Sequence, residues 1–127
     1  MTEPRASYRA DKPKKPYRKY RNIPTDSGGY HFDGRNEARR YQELLLLLRA
    51  GEISELVVHP VYELEPKFRR ANGEAVRAIK YEGDFEYIEG GKVVVEDVKG
   101  VQTAVFLLKQ KLFWARYPDH ELRIVKV

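Results

Sequence analysis

The sequence predicts an α/β fold in which a helix, a three-stranded antiparallel meander, a second helix and a closing strand follow a basic N-terminal arm. Three observations carry that expectation. Apolar residues recur at helical spacing in two stretches, and they alternate in the stretches between and after these two. The whole positive excess of the chain lies in its first 21 residues.

The elements follow in order. Residues 1–21 hold Arg5, Arg9, Lys12, Lys14, Lys15, Arg18, Lys19 and Arg21 against Glu3 and Asp11, so this segment exceeds the chain's net charge of +5 and the remainder is slightly acidic. Broken by Pro4, Pro13 and Pro16, it cannot build a core and reads as a flexible or extended arm. Residues 22–127 form a single domain. Residues 22–34 are rich in turn formers, with Tyr30 and Phe32 alternating as in a short strand. From Arg35 to Ala50 the residues Ala38, Tyr41, Leu44, Leu45 and Leu48 keep a helical period that Gly51 should end. Val57–Leu64 alternates around Pro60 and reads as an edge or bent strand. Asn72-Gly73 marks a tight turn, Val76–Ile88 alternates throughout, Gly90-Gly91 turns the chain, and Lys92–Lys99 is a valine-rich strand. Thr103 caps a second helix to about Tyr117, Pro118 stops it, and Glu121–Val127 closes the fold.

Composition narrows the chemistry. With 127 residues, one well-filled domain is expected. Neither a long apolar run nor a secretory leader is evident, which gives the expectation of a cytoplasmic protein without a membrane span. The absence of cysteine removes disulfides, thiolate zinc sites and cysteine nucleophiles. His31, His59 and His120 are too scattered to make a zinc set. Chemistry must come from carboxylates, lysines and a hard metal ion.

Side chains alternate across a strand, so Val93, Val95, Asp97 and Lys99 share a face. An acid and an amine at the end of an apolar strand can hold a divalent cation and a phosphate oxygen or water together. Asp84, beside Gly83 on the preceding strand, can reach the same ion. A strand salt bridge between Asp97 and Lys99, with Asp84 facing solvent, explains the same spacing, and both readings stand open. Glu37 lies in the first turn of the first helix and on its inward stripe. Capping at Asp33 or Gly34 accounts for an acid in the first turn, though not for its inward position.

Four segments carry a family resemblance: Phe32-Asp33-Gly34-Arg35-Asn36-Glu37-Ala38-Arg39-Arg40-Tyr41, Leu64-Glu65-Pro66-Lys67-Phe68, Ile79-Lys80-Tyr81-Glu82-Gly83-Asp84-Phe85 and Val94-Val95-Glu96-Asp97-Val98-Lys99-Gly100. From about Arg18 to Val127 the chain resembles the phage and prophage proteins grouped as domain of unknown function 1064, which are assigned to the PD-(D/E)XK nuclease superfamily that includes Holliday junction resolvases. The resemblance implies a restriction-endonuclease-like core, with Asp84 as the first aspartate, Asp97 as the (D/E), Lys99 as the lysine and Glu37 as the helix glutamate. Gly83 stands where the literal motif has proline.

The expectation is a metal-dependent DNA endonuclease. Asp84, Asp97, the Val98 carbonyl and Glu37 would hold Mg²⁺, or Mn²⁺ in its place, and Lys99 would act on the nucleophile. Lys67, Arg69, Arg70 and Arg77 around the Asn72-Gly73 turn would clamp phosphates, as would the cations of the arm, whose Tyr8, Tyr17 and Tyr20 could stack on bases. A solubilising tail and a solvated hairpin tip are the plainer explanations. The chain shows no added domain for reading base sequence, so branched DNA, above all the four-way junction, is the expected substrate. A phage-encoded protein would meet it in the host cytoplasm. Alternatives are a flap or branch nuclease, a transposase-associated end-cleaving nuclease and a catalytically idle DNA-binding accessory. His59 could contact DNA or the site, although a strand-end histidine is more often structural; Lys111 reads as solvated, and Lys109 and Gln110 stay open. Apolar residues around most of the second helix lead to the expectation of a homodimer, which would set one site on each of two opposed strands.

Overall fold

The computed structural model describes residues 5–6, 25–27, 29–32 and 34–127. Most of the arm therefore lies outside the described residues. Of it, β1 (Arg5–Ala6) runs parallel to β4 (Ser54–Val58) at the sheet margin. A short hairpin of β2 (Thr25–Ser27) and β3 (Tyr30–Phe32) leads to helix α1 (Arg35–Arg49). Gly34 is the N-cap and offers no side-chain cap, while Asp33 lies outside the described residues. Gly51, at φ 78°, ends the helix in the left-handed conformation that glycine adopts without strain.

The main sheet has the order β1-β4-β9-β10-β11, with β9 spanning Phe85–Glu89, β10 Lys92–Lys99 and β11 Glu121–Lys126. Strand β9 is antiparallel to both β4 and β10, which is the meander expected from the alternation, and β11 is parallel to β10. Helix α2 (Ala104–Arg116) makes the crossover between those parallel strands, and the Thr103 hydroxyl accepts the Phe106 amide at 3.1 Å to cap it.

Alternation along β10 builds two cores. Val94 joins Phe32, Tyr41, Leu44, Leu56, Phe85 and Tyr87 beneath α1. Its neighbour Val95 joins Tyr62, Leu64, Tyr81, Phe106 and Phe113 beneath α2. Only Phe106 and Phe113 of α2 are buried, and Val105, Leu107, Leu108 and Trp114 remain exposed. No helix among the described residues is long and apolar enough to cross a membrane.

Two long alternating segments are broken, the first at the bend expected around Pro60 and the second where the sequence suggests continuity. Val57–Leu64 is divided between β4 and β5 (Val61–Glu65), and the break is His59-Pro60, with His59 at φ 56°. Val76–Ile88 is divided among β7 (Ala75–Val76), β8 (Ile79–Glu82) and β9. The pieces removed from the meander form a separate two-stranded ribbon: β5 pairs with β8, and β6 (Phe68–Arg69) pairs with β7. Gly83 makes the second break possible, because a Cβ there would lie 3.0 Å from Val95 Cγ1.

Candidate functional site

The fork where ribbon leaves sheet is held by three backbone hydrogen bonds. The Gly83 amide donates to the Pro60 carbonyl, the His59 amide to the Asp84 carbonyl, and the Asp84 amide to the Glu96 carbonyl, each at 2.9 Å. Asp84 is thus fixed against β10 one step before β9 begins. Its Oδ2 accepts the Val98 amide at 2.6 Å. Asp97 comes from β10 on the same side as Asp84, and Glu37 reaches the fork from the first turn of α1. Asp84 lies within hydrogen-bond reach of both Glu37 and Asp97.

Three acids from α1, the fork and β10 therefore meet, and positive charge is scarce among them. Lys99 Nζ lies 3.3 Å from Asp97 Oδ1 and 4.4 Å above the Phe106 ring. The Tyr81 hydroxyl donates to Asp97 Oδ2. His59 Nε2 lies 3.6 Å from Glu37 Oε2 and adds charge only when protonated. Burial, then the charges of Glu37 and Asp97, push the Asp84 carboxyl well above the usual carboxylate range, against the opposing pull of the Val98 amide. Burial also raises Asp97, against the lowering influence of Tyr81 and Lys99. Burial and then the negative charge of Asp97 raise the Tyr81 phenol, so it remains a donor.

Such a cluster suits a divalent cation, because hard oxygen donors with surplus negative charge are what Mg²⁺ and Mn²⁺ take. Asp84 and Asp97, supplemented by Glu37 and the Val98 backbone, could supply the oxygens. Among the described residues no group of three His, Asp or Glu side chains already stands in a metal-holding arrangement. The Val98 amide and the Tyr81 hydroxyl donate to the aspartates.

Glu37, Asp84, Asp97 and Lys99 thus come together, and the Asp97–Lys99 salt bridge that the plainer reading required is present as well. Asp84 is partly buried rather than a solvent-facing strand residue. His59, expected to be structural, sits beside Glu37 with its ring edge-on to Phe32 at 5.6 Å. The sequence reading missed Tyr81 and Phe106, although the alternation Tyr81, Gly83 from β8 into the fork was a signal. It also missed the fully buried Glu96, which Arg40 grips with Nε at 2.8 Å and Nη2 at 2.6 Å and to which the Tyr87 hydroxyl donates. Lys109 and Gln110 are half-buried on α2, and Lys111 is exposed.

Lys67, Arg69, Arg70 and Arg77 are all exposed at the outer end of the ribbon. Of the arm's cations only Arg5 is on a described element, at the backbone of β1, and Arg9, Lys12, Lys14, Lys15, Arg18, Lys19 and Arg21 lie outside the described residues. The sequence model of the family described as protein of unknown function DUF1064 matches residues 17–127, so the chain belongs to that family. No curated protein and no solved structure gives a match.

Proposed function

We propose that this DUF1064 protein is a metal-dependent, structure-selective DNA endonuclease with a PD-(D/E)XK type of site, acting on four-way junctions in the cytoplasm. The observation that carries the proposal is the meeting of Glu37, Asp84 and Asp97 around a deficit of positive charge, with Lys99 held at 3.3 Å from Asp97. A structural ion pair needs no third acid, whereas phosphodiester hydrolysis needs oxygen donors and an amine at one point.

When bound, Mg²⁺ or Mn²⁺ would supply a Lewis acid for the scissile phosphate and lower the pKa of a coordinated water. Asp84 and Asp97 would hold it, with Glu37 and the Val98 carbonyl completing the set. Lys99 is tethered at both ends of its charge, by Asp97 and by the Phe106 ring, so its ammonium is aimed rather than free. It would orient the attacking water and stabilise charge developing on the phosphate oxygens. Tyr81 keeps Asp97 from rotating away from the site.

The exposed cations of the ribbon favour a phosphate-rich substrate, and recognition through phosphates suits branched shape better than base sequence. The exposed apolar side of α2, including Val105, Leu108 and Trp114, favours a second copy as partner. The test is a cleavage panel at fixed salt: immobile four-way junction, flap, nicked duplex, linear duplex and single strand, each with Mg²⁺, Mn²⁺ or chelator. Paired, metal-dependent nicks in the junction, by a species of twice the chain mass in light scattering, are expected. Cleavage of the flap in preference to the junction, by a monomer, would make it a flap or branch nuclease. No metal-dependent cleavage of any substrate would overturn the enzyme reading.

A further inference from the structure

The ribbon ends in an aromatic residue that serves no core. Phe68 is 48% exposed, faces Val76 across a two-residue pairing, and has the 39% exposed Ile79 as the next large apolar group on the ribbon. Farther back, the same ribbon buries its other aromatics: Tyr62 and Tyr81 pack on Phe113 of α2, and Arg116 Nε and the Tyr117 hydroxyl each donate to ribbon carbonyls at 3.1 Å. The base of the ribbon is therefore anchored. Its tip is ordered too: the Arg70 amide donates to Glu74 at 2.8 Å, Asn72 Oδ1 accepts the Glu74 amide at 3.0 Å, and Arg69 Nη1 reaches the Gly73 carbonyl at 2.8 Å.

An aromatic ring exposed to water on an ordered hairpin among cations has a narrow range of uses. Lys67 and Arg69 flank Phe68 in the chain, and Arg70 and Arg77 lie within the same turn region. Among the described residues Lys67 and Arg77 have no ion pair, so they are free to meet phosphates. A partner for this tip must therefore offer negative charge and an apolar flat face together, which is the chemistry of a nucleotide whose base is not fully stacked. Val76 lies eight residues before Asp84, so at about 3.3 Å per residue it stands at most about 26 Å from the carboxylate cluster, with Phe68 one strand spacing, about 5 Å, beyond it. That is less than one turn of duplex, about 34 Å.

Building on the endonuclease reading, we propose that Phe68 is a stacking residue: it takes an unpaired or partly unstacked base at the branch point while Lys67, Arg69 and Arg77 hold the adjoining phosphates. A linear duplex, with every base stacked between neighbours, would meet only the cations. The residue would thus distinguish branched from linear DNA without reading sequence.

The experiment uses the full chain in chelator, so that nothing is cut, with two probes of equal length: a four-way junction and a linear duplex, each carrying 2-aminopurine at the position of the branch. Anisotropy gives affinity and 2-aminopurine emission reports unstacking. The wild-type protein should prefer the junction and brighten its probe. Phe68→Ala should lose about tenfold in junction affinity, the loss of one base stacked on an aromatic ring, together with the brightening. Its affinity for linear duplex should be unchanged, and Phe68→Trp should restore the junction affinity. Equal junction affinity and emission in Phe68→Ala, or equal losses on both DNAs, would overturn the assignment while leaving the endonuclease reading intact. Unaltered DNA binding combined with conversion of a dimer to a monomer would also overturn it, assigning the ring to a contact between copies. Failure of the wild-type protein to bind either DNA would overturn the endonuclease reading and this inference with it.

Discussion

Glu96 and Asp97 are consecutive residues of β10, both almost wholly buried, and they face opposite sides of the sheet with opposite electrostatic outcomes. Glu96 is satisfied: the Arg40 guanidinium binds both its oxygens and the Tyr87 hydroxyl adds a third donor. Arg123 continues the network, donating to the Tyr87 hydroxyl at 3.1 Å and pairing with Glu89 and Glu121 at the surface. Asp97 instead shares one lysine with two further acids. The contrast separates a carboxylate that holds the fold from carboxylates held by the fold. Glu96 joins sheet to α1 one turn beyond Glu37, so the saturated cluster fixes the element that carries an acid of the unsaturated one.

The first way to sharpen the contrast is to remove one partner of the saturated pair. Glu96→Ala takes both charge-assisted hydrogen bonds from the half-buried Arg40 guanidinium, leaving it only the surface Glu43, and should cost about 3 kcal/mol of stability. Arg40→Met should cost a similar amount, whereas the double replacement Arg40→Met with Glu96→Leu should cost less than either alone. Urea unfolding of the three variants checks this. Additive losses would show that the pair is not the unit of stability.

On the other face the expected losses are in cleavage rather than in folding. Asp84→Asn, Asp97→Asn and Lys99→Ala should each lower the cleavage rate by at least about 10²-fold with DNA binding retained. Glu37→Gln should be milder, because Glu37 has His59 as a neighbour and would reach the ion through water. A fall in melting temperature with unchanged cleavage would make Glu37 a helix-terminus residue only.

Stability of metal-free Asp84→Asn should move the opposite way. The amide oxygen can still accept the Val98 amide, while the charge facing Glu37 and Asp97 is gone, so a gain of about 1 kcal/mol is expected. The folded-state pKa of Asp84 is raised, so folding takes up a proton and wild-type stability from this group falls as pH rises from the unfolded value, about 4, through the folded one. The variant's advantage should be greatest at alkaline pH and vanish toward pH 4. Thermal melts in chelator across that interval check the sign, and an advantage that grows in acid would contradict the charge account.

The smallest effect concerns the arm. Deleting residues 1–21 should lower the slope of log affinity against log salt by about 0.9 for each phosphate that the arm neutralises on duplex DNA. An unchanged slope would leave phosphate binding to the ribbon alone. Cleavage at saturating DNA should survive, because no candidate ligand precedes Glu37.

Much of this was legible in the chain. The helical spacing of Ala38, Tyr41, Leu44 and Leu48, the Thr103 cap and the alternation around Gly90-Gly91 give the order of elements, because local periodicity reports which face is buried. The ribbon was not legible, since alternation runs unbroken through Arg77 and Gly83 and carries no mark of which sheet a strand joins. The acids and Lys99 were found because two share one strand. Glu96 was passed over because its partner Arg40 lies 56 residues away, a separation that only tertiary structure closes. Tyr81 was missed and the role of His59 stayed open for the same reason: both depend on the fork, and the fork depends on the ribbon.

The central claim is that the unsaturated cluster binds a divalent cation, and a titration of Mn²⁺ into the full chain, followed by the electron paramagnetic resonance of the free ion, tests it most directly. The account predicts saturable uptake by the wild-type protein, loss of that uptake in Asp84→Asn and Asp97→Asn, and retention in Lys111→Ala, which alters only an exposed residue of α2. No uptake by the wild-type protein, or equal uptake by the two aspartate variants, would contradict it.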